Sequence, residues 1–409
     1  MHIDTKDMAI IDRDDLYIPC TISITNTDTS LMMQHVPSSI RLRGHSTQMH
    51  DKKPYRIRFD NKQQPLGLGS SSARSWVLLA EYYDPSMLRN KLVFDLAKNL
   101  ANIEYSSSTA YVEVMLNGEF QGVYVLAEQV QVNPARVNID ALGVDNPDIL
   151  DTGYLLELEA MNNRRLEEGV EGVDWFAVTG YAETSFPIEW WHYEDYLTAE
   201  EVAFYVVKSD AKSDAQISFI QAYMIDVYDA IYEIQTQSSI ESLVDMDSAV
   251  DMYILQLLAN DYDSNLSSSF VYKDKDDKLK FGPPWDFDLS FGNHAAHNST
   301  DTIHLHHLLY QLSTLVWFQQ KVLARWTFIN APSQDFIERM KTSIYTTSED
   351  YSDAFEANYL MWHKHAVIGI WDFSYRTGIT SQISAADYFY TWLTQRKAWM
   401  ETYFSSWMT

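Results

Sequence analysis

The chain has 409 residues, 46% apolar, with 12 Trp and 26 Tyr, so it can bury a large core and is not a disordered sequence. A net charge of −27, from 57 acidic and 30 basic residues, argues against a nucleic-acid partner, because that field repels polyanions. One cysteine, Cys20, excludes an intramolecular disulfide framework, and no apolar run approaches the roughly 18 residues of a membrane span.

No charged and apolar leader precedes "MHIDTKDMAII", so no signal peptide is expected in this chain. Residues 1–160 then read as a β-rich lobe. "YIPCTISIT" (17–25) and "KPYRIRF" (53–59) alternate apolar and polar residues as strands do. "DPSMLRNKLVFDLAKNLA" spaces Leu88, Leu92, Leu96 and Leu100 for one helical face after an Asp84-Pro85 start. "AYVEVMLNGEFQGVYVLAEQV" (110–130) is a hairpin turning at Asn117-Gly118, and "TGYLLELEA" (152–160) is again a strand.

Residues 161–409 read as a mainly helical lobe, which makes the fold class α+β. Helices are expected in "TAEEVAFYVVKSD", "DAQISFIQAYMIDVYDAIYEI" and "MDSAVDMYILQLLAND", with more over 305–345 and 384–404. The exception is 268–291, a hairpin followed by "GPPWDFDLSFGN". There Trp285, Phe287, Leu289 and Phe291 alternate with Asp286, Asp288 and Ser290, the period of a strand-like segment. A buried carboxylate is costly unless paired, so either that polar face is wet or a cation sits against it.

Several features point to one chemistry. "RLRGHST" sets Gly44, Ser46 and Thr47 in a turn beside Arg43, a sequence able to aim backbone N–H groups at phosphate, although an ordinary turn reads the same way. In the strand that follows, alternation turns Lys53 inward with Tyr55 and Ile57, and Lys52 toward solvent; an inward lysine needs an anionic partner, phosphate or a structural carboxylate. A polar break at "LAEQV" is where a linker between lobes would offer backbone groups to a base. Asp263 stands on a turn after "LLAND", and the hairpin then leads to Asp286. Phosphoryl transfer needs a lysine on the phosphates, a metal-holding carboxylate and a second carboxylate for the attacking hydroxyl. Protein kinases arrange these as strand lysine, catalytic Asp, hairpin and metal Asp, the order found here, with Mg²⁺ or Mn²⁺ on nucleotide phosphates facing Asp286.

The strings "RLRGHST…KKPYRIRFD", "WVLLAEYYDPSMLRNKLVFDLA", "VEVMLNGEFQGVYVLAEQV", "GYLLELE" and "FVYKDKDDKLKFGPPWDFDLSFGN" resemble the CotH kinase family over nearly the whole chain. The resemblance implies a two-lobed atypical protein-kinase-like fold, ATP with Mg²⁺ or Mn²⁺, and phosphorylation of Ser or Thr in secreted or cell- or spore-surface proteins. It assigns Asp263 as catalytic Asp, Asp286 as metal Asp, Lys53 (with Lys52 the alternative) as phosphate lysine, and Arg43, Gly44 and Ser46 as the phosphate-side loop. Glu128 falls at the hinge, and Glu157 matches an acid that would pair with the lysine. Ser268 stands where many kinases have a metal-binding Asn; Asn265 and Asp288 are possible substitutes. The partner is a protein substrate, basic or Ser-rich; nothing fixes the oligomeric state.

Two other readings keep the fold: a nucleotidyl (AMP) transferase, and an inactive surface scaffold, against which the joint presence of Lys53, Asp263 and Asp286 speaks. Five histidines, His294, His297, His304, His306 and His307, make zinc conceivable, but a substrate-binding segment after the metal Asp is the better reading. "DKDDK" (274–278) lacks the glycine and terminal glutamate of a calcium loop and reads as a hairpin tip.

Overall fold

The computed structural model describes residues 1–44, 46–159, 174–181, 201–210, 213–294, 298–364 and 378–408. Seven strands close into a barrel: β1 His2–Thr5, β2 Ile18–Ile24, β3 Met33–Leu42, β4 Tyr55–Gln63, β5 Ala73–Leu79, β6 Thr109–Leu116 and β7 Glu119–Glu128. Their order is β1-β2-β3-β4-β5-β7-β6, and β1 closes the ring by pairing parallel with β6, His2 opposite Met115. The β6–β7 turn uses left-handed backbone at Asn117 (φ 51) and Gly118 (φ 84), the conformation an Asn-Gly hairpin needs. Inside lie Ile22, Ile40, Ile57, Trp76, Leu78, Val114, Tyr124 and Leu126, all buried.

The barrel's outer faces differ. On β5 and β7 the alternate residues Val77, Leu79, Val123, Val125 and Ala127 are also buried, in a second and larger core. This is why "WVLL" and "GVYVLA" read as unbroken apolar runs: both faces of these strands are covered. On β3 and β4 the outer face carries Ser39, Arg41, Arg56 and Arg58 instead, half-buried or exposed.

The larger core joins helix α1 (Arg89–Ala97) to a second sheet of strands β8 Tyr154–Leu158, β9 Asp174–Thr179, β10 Glu201–Val207, β11 Ser269–Lys273 and β12 Leu279–Phe281. This sheet is antiparallel in the order β12-β11-β8-β10-β9. The remaining helices are α2 Asp214–Tyr228, α3 Gln237–Leu243, α4 Met246–Ala259, α5 His307–Leu312, α6 Val316–Ile329, α7 Phe336–Asp350, α8 Ser352–Asn358 and α9 Gln382–Ser406. Helix α4 is the buried spine: Met246 and Ser248 to Ala259 are all covered. It stops because Asn260 turns left-handed (φ 48).

Two expected elements are corrected. "TAEEVAFYVVKSD" supplies β10, not a helix; Ala203 to Val207 are buried without a break, and a strand covered on both faces has no period-2 signal to separate it from a buried helix. "WDFD" is not a strand either. Asp286 (φ 66) and Phe291 (φ 51) adopt left-handed backbone, so the segment is a chain of turns and strand alternation does not decide where its side chains face.

Candidate active site

The site lies where the barrel, α1 and the segment after β12 meet. Helix α1 begins under a buried cap: Asp84 accepts backbone N–H bonds from Ser86, Leu88 and Arg89, and pairs with the Arg89 guanidinium at 2.5 Å. Arg89 donates onward from Nε to the Ser290 carbonyl at 2.9 Å, while Asn90 Oδ1 accepts from the Phe287 N–H at 2.6 Å. Asn293 donates to the carbonyls of Tyr83 and Asp288. The "LRN" of α1 thus holds the "WDFDLSFGN" segment at both ends, and Trp285 stacks on Phe94. These contacts fix the backbone on which Asp286 and Asp288 are carried.

Asp263 sits on a short 3-10 turn, Tyr262–Asn265, directly after the Asn260 cap. Its carbonyl accepts from the N–H groups of Leu266 and Ser267, so the turn leads straight into β11. Behind it, Asn265 Oδ1 meets His307 Nδ1 at 3.0 Å, and the other nitrogen of His307 meets the Tyr228 hydroxyl. Ser268, in left-handed backbone (φ 59), donates to Asp286 Oδ2 at 3.0 Å.

These turns gather carboxylates that repel one another. Burial, and then the neighbouring Asp286 and Glu159, push Asp263 up to about 7. Asp261 is raised well above the usual range by burial, Asp263 and Asp286, and its Oδ1 has no hydrogen-bond partner. Burial, Asp286 and Glu81 raise Asp288 likewise. Glu81, buried and accepting from Asn90 Nδ2, is pushed up to about 8, first by burial and then by Asp84. The cation facing this group is Arg43, whose guanidinium lies 5.5 Å from the Trp285 ring and is attracted by Asp286, Glu157, Asp288 and Glu81.

Arg43 also starts the loop that closes over the site. Its N–H donates to the Pro54 carbonyl at 3.2 Å, closing the neck of the connection between β3 and β4. Gly44 is left-handed (φ 82), and an added Cβ would stand 2.3 Å from Thr47 Oγ1, so only glycine fits. Ser46 bonds the Tyr83 hydroxyl, which also meets His50 Nε2 at 2.6 Å.

An all-oxygen donor set with an unpartnered buried oxygen fits a hard divalent cation. Among the described residues no three His, Cys, Asp or Glu side chains stand close enough to enclose a metal alone. Mg²⁺ is commonly held by one or two carboxylates together with substrate phosphates, and the site fits that mode rather than a permanent protein cage.

The profile of the CotH kinase protein family matches residues 40–400. The chain belongs to the CotH family. It is also similar to the inner spore coat protein H of Bacillus subtilis (strain 168), 24% identical over 271 residues that make up 65% of this chain. The chain spans 62% of the length of that curated relative. Among the described residues no helix is long and apolar enough to cross a membrane.

The residues expected from the CotH resemblance separate on the structure. Arg43, Asp263, Asp286, Asp288 and Ser268 come together; Gly44 and Ser46 lie on the loop above them. The two lysines exchange places. Lys52 is the buried one (1% exposed), donating to the Val123 carbonyl and to Asn358 Oδ1, 4.6 Å from the Tyr124 ring centre. Burial pulls its amine down to about 7 against the attraction of Glu81. Lys53 is half-buried and donates to the Gln48 carbonyl within the loop. The expected alternation fails because β4 starts only at Tyr55, after Pro54. Glu157 pairs with Lys208, just past the end of β10, not with Lys52 or Lys53. Glu128 is buried against Arg136 at 3.3 Å and accepts from the Ser108 N–H.

Sequence reasoning missed Asp261, Glu81 and Asn90, although each lies inside a string singled out for other reasons. His306 and His307 are buried with their rings stacked at the start of α5; His297 lies outside the described residues.

Proposed function

We propose that this CotH protein is an ATP- and divalent-metal-dependent protein kinase acting on Ser or Thr of protein substrates and on itself. The observation that carries the reading is the convergence of Asp261, Asp263, Asp286 and Asp288, with Arg43 facing them. Without a cation these carboxyls are driven toward their protonated forms; a cation would let them ionise together, and bound Mg²⁺ would supply electrostatic stabilisation of the transferring phosphoryl group. The two-lobed kinase reading, with the lobes at 1–160 and 161–409, is supported by the order of loop, lysine, Asp263, hairpin and Asp286 along the chain and by a barrel with its own core; α1 and β8, although before residue 160, pack in the larger core.

Each residue then has a task. Asp286, held by Ser268, and Asp288 would hold the metal. Asp263 would orient the attacking hydroxyl and accept its proton, a role suited by a carboxyl poised near 7. Arg43 would meet phosphate charge from the loop side. Lys52, the lysine buried toward Glu81, takes the interior position first given to Lys53, and Lys53 would serve from the loop. Spore or cell-surface action is proposed by analogy with the spore coat relative.

ATP labelled separately at the α and γ positions tests the reaction class. The kinase reading expects γ-label on protein. Transfer of α-label would make the chain a nucleotidyl transferase, and transfer of neither would make it a scaffold.

A further inference from the structure

The barrel face that leads into the site is strongly basic in a protein whose net charge is −27. Arg41 and Arg56 stand directly opposite each other on β3 and β4, and Arg58 follows two residues along β4, opposite Ser39. Residues two apart on a strand share a face and lie about 7 Å apart. Arg58 and Arg74 line one shallow cleft of about 330 Å³ with Tyr17, Ser39, Phe59 and Asp60, whose carboxylate is its one acid. At the other end Arg56 comes within electrostatic reach of Arg43 over Trp285 and of Lys208 across from the barrel.

Acids come near the strip at Asp15, which is attracted by Arg41, and at Asp60 in the cleft. The Nε atoms of Arg41 and Arg56 are buried without hydrogen-bond partners, and Arg41 lies 5.1 Å from the Tyr17 ring centre. Burial lowers the Arg56 guanidinium; Tyr17 opposes this, while Arg41, Arg43 and Arg58 add to it. Adjacent like charges carry a cost that an interior barrel role does not require, since the barrel core lies on the opposite face. The four cations that line the strip and cleft are arginines, with Lys62 farther along β4. The guanidinium fork suits paired hydrogen bonds to phosphate, and one phosphate carries roughly −1.5 to −2 charges, enough to offset two of these side chains.

We infer that Arg41, Arg56, Arg58 and Arg74 form a docking track for an extended, phosphoserine-bearing segment of the protein substrate, which runs along β3 and β4 toward Asp263. The substrate role rests on the kinase reading; the binding does not. In that role a segment phosphorylated in one turnover would seat on the track and present a further hydroxyl to the site, so phosphorylation would be processive.

The test uses the full chain, without nucleotide, and a fluorescent serine-rich peptide carrying phosphoserine at alternate positions, read by polarisation. The phosphopeptide should bind, and the exposed-residue double variant Arg58→Gln/Arg74→Gln should weaken it roughly tenfold, the loss expected for one charge-assisted contact, with an unchanged melting temperature. The unphosphorylated peptide should bind at least as weakly as the variant binds the phosphopeptide. The assignment is overturned if the double variant binds normally, if an oligonucleotide of equal charge binds as well, or if ATP with Mg²⁺ displaces the peptide completely. Absent peptide binding in a chain that still transfers γ-label would remove the track and leave the kinase reading standing. Peptide binding in a chain that transfers no label would do the reverse.

Discussion

The barrel interior is fully buried and the carboxylate site only partly, and they are built on opposite terms. Inside the barrel, Ile22, Ile40, Ile57, Trp76 and Tyr124 exclude water with apolar surface, and each buried side chain stabilises the fold by roughly 1.5–3 kcal/mol. At the site, the buried Asp261 and Asp288 stand beside the half-buried Asp263 and Asp286, gathering carboxylates that repel. The first region is complete as it stands; on the proposed function, the second would be completed by a cation and phosphate. Stability and chemistry should therefore respond in opposite directions to substitutions in the two places.

The largest effect is expected from Asp263→Asn. An amide cannot accept the hydroxyl proton, so γ-phosphoryl transfer should fall by about 100- to 10,000-fold, while nucleotide binding, measured by titration calorimetry, persists. Loss of binding would make Asp263 a ligand rather than a base. Next comes Lys52→Met, expected to lower transfer by roughly 100-fold through lost stabilisation of phosphate charge. Lys53→Met should change it less, and assays of the two side by side decide between them; a silent Lys52→Met would return the role to Lys53.

Stability separates the regions more finely. Trp76→Ala should destabilise the chain by about 3–5 kcal/mol, the cost of an aromatic core truncation, whereas Asp288→Asn should leave the apo melting temperature level or raise it. Denaturant titration of both variants checks the contrast.

The pH dependence follows from the same carboxyls. Asp263, pushed up to about 7, and Glu81, up to about 8, hold protons in the fold that the unfolded chain releases near 4. The folded state therefore binds more protons, and apo stability should fall as pH rises from about 5 to 7. Lys52 adds the opposite slope only above its depressed value of about 7, where the unfolded chain still holds the proton. ATP with Mg²⁺ should flatten the fall; an equal slope with and without them would mean that the carboxyls do not meet the metal.

What could be read from the sequence tracks local chemistry. The Asn117-Gly118 hairpin and the leucine face of α1 are signalled within a few residues, and both are present. Closure of the barrel is not signalled, because it depends on pairing of His2 with Met115 across the whole lobe. Strand alternation also failed just outside a strand: Lys52 and Lys53 precede Tyr55, and there the loop geometry, not the period, decides which amine is buried. Asp263 and Asp286 stood out as candidates by order along the chain. Asp261 and Glu81 did not, because their importance comes from proximity in the fold.

The central claim is that the carboxylate site is built around a cation brought by nucleotide phosphates, and Asp286 is its most direct probe. Thermal unfolding of the wild type and of Asp286→Asn should be followed with and without ATP and Mg²⁺. The account predicts a clear rise in melting temperature for the wild type and none for the variant, whose apo fold melts no lower than the parent because a repelling charge has been removed. An equal ATP- and Mg²⁺-dependent rise in both proteins would contradict it.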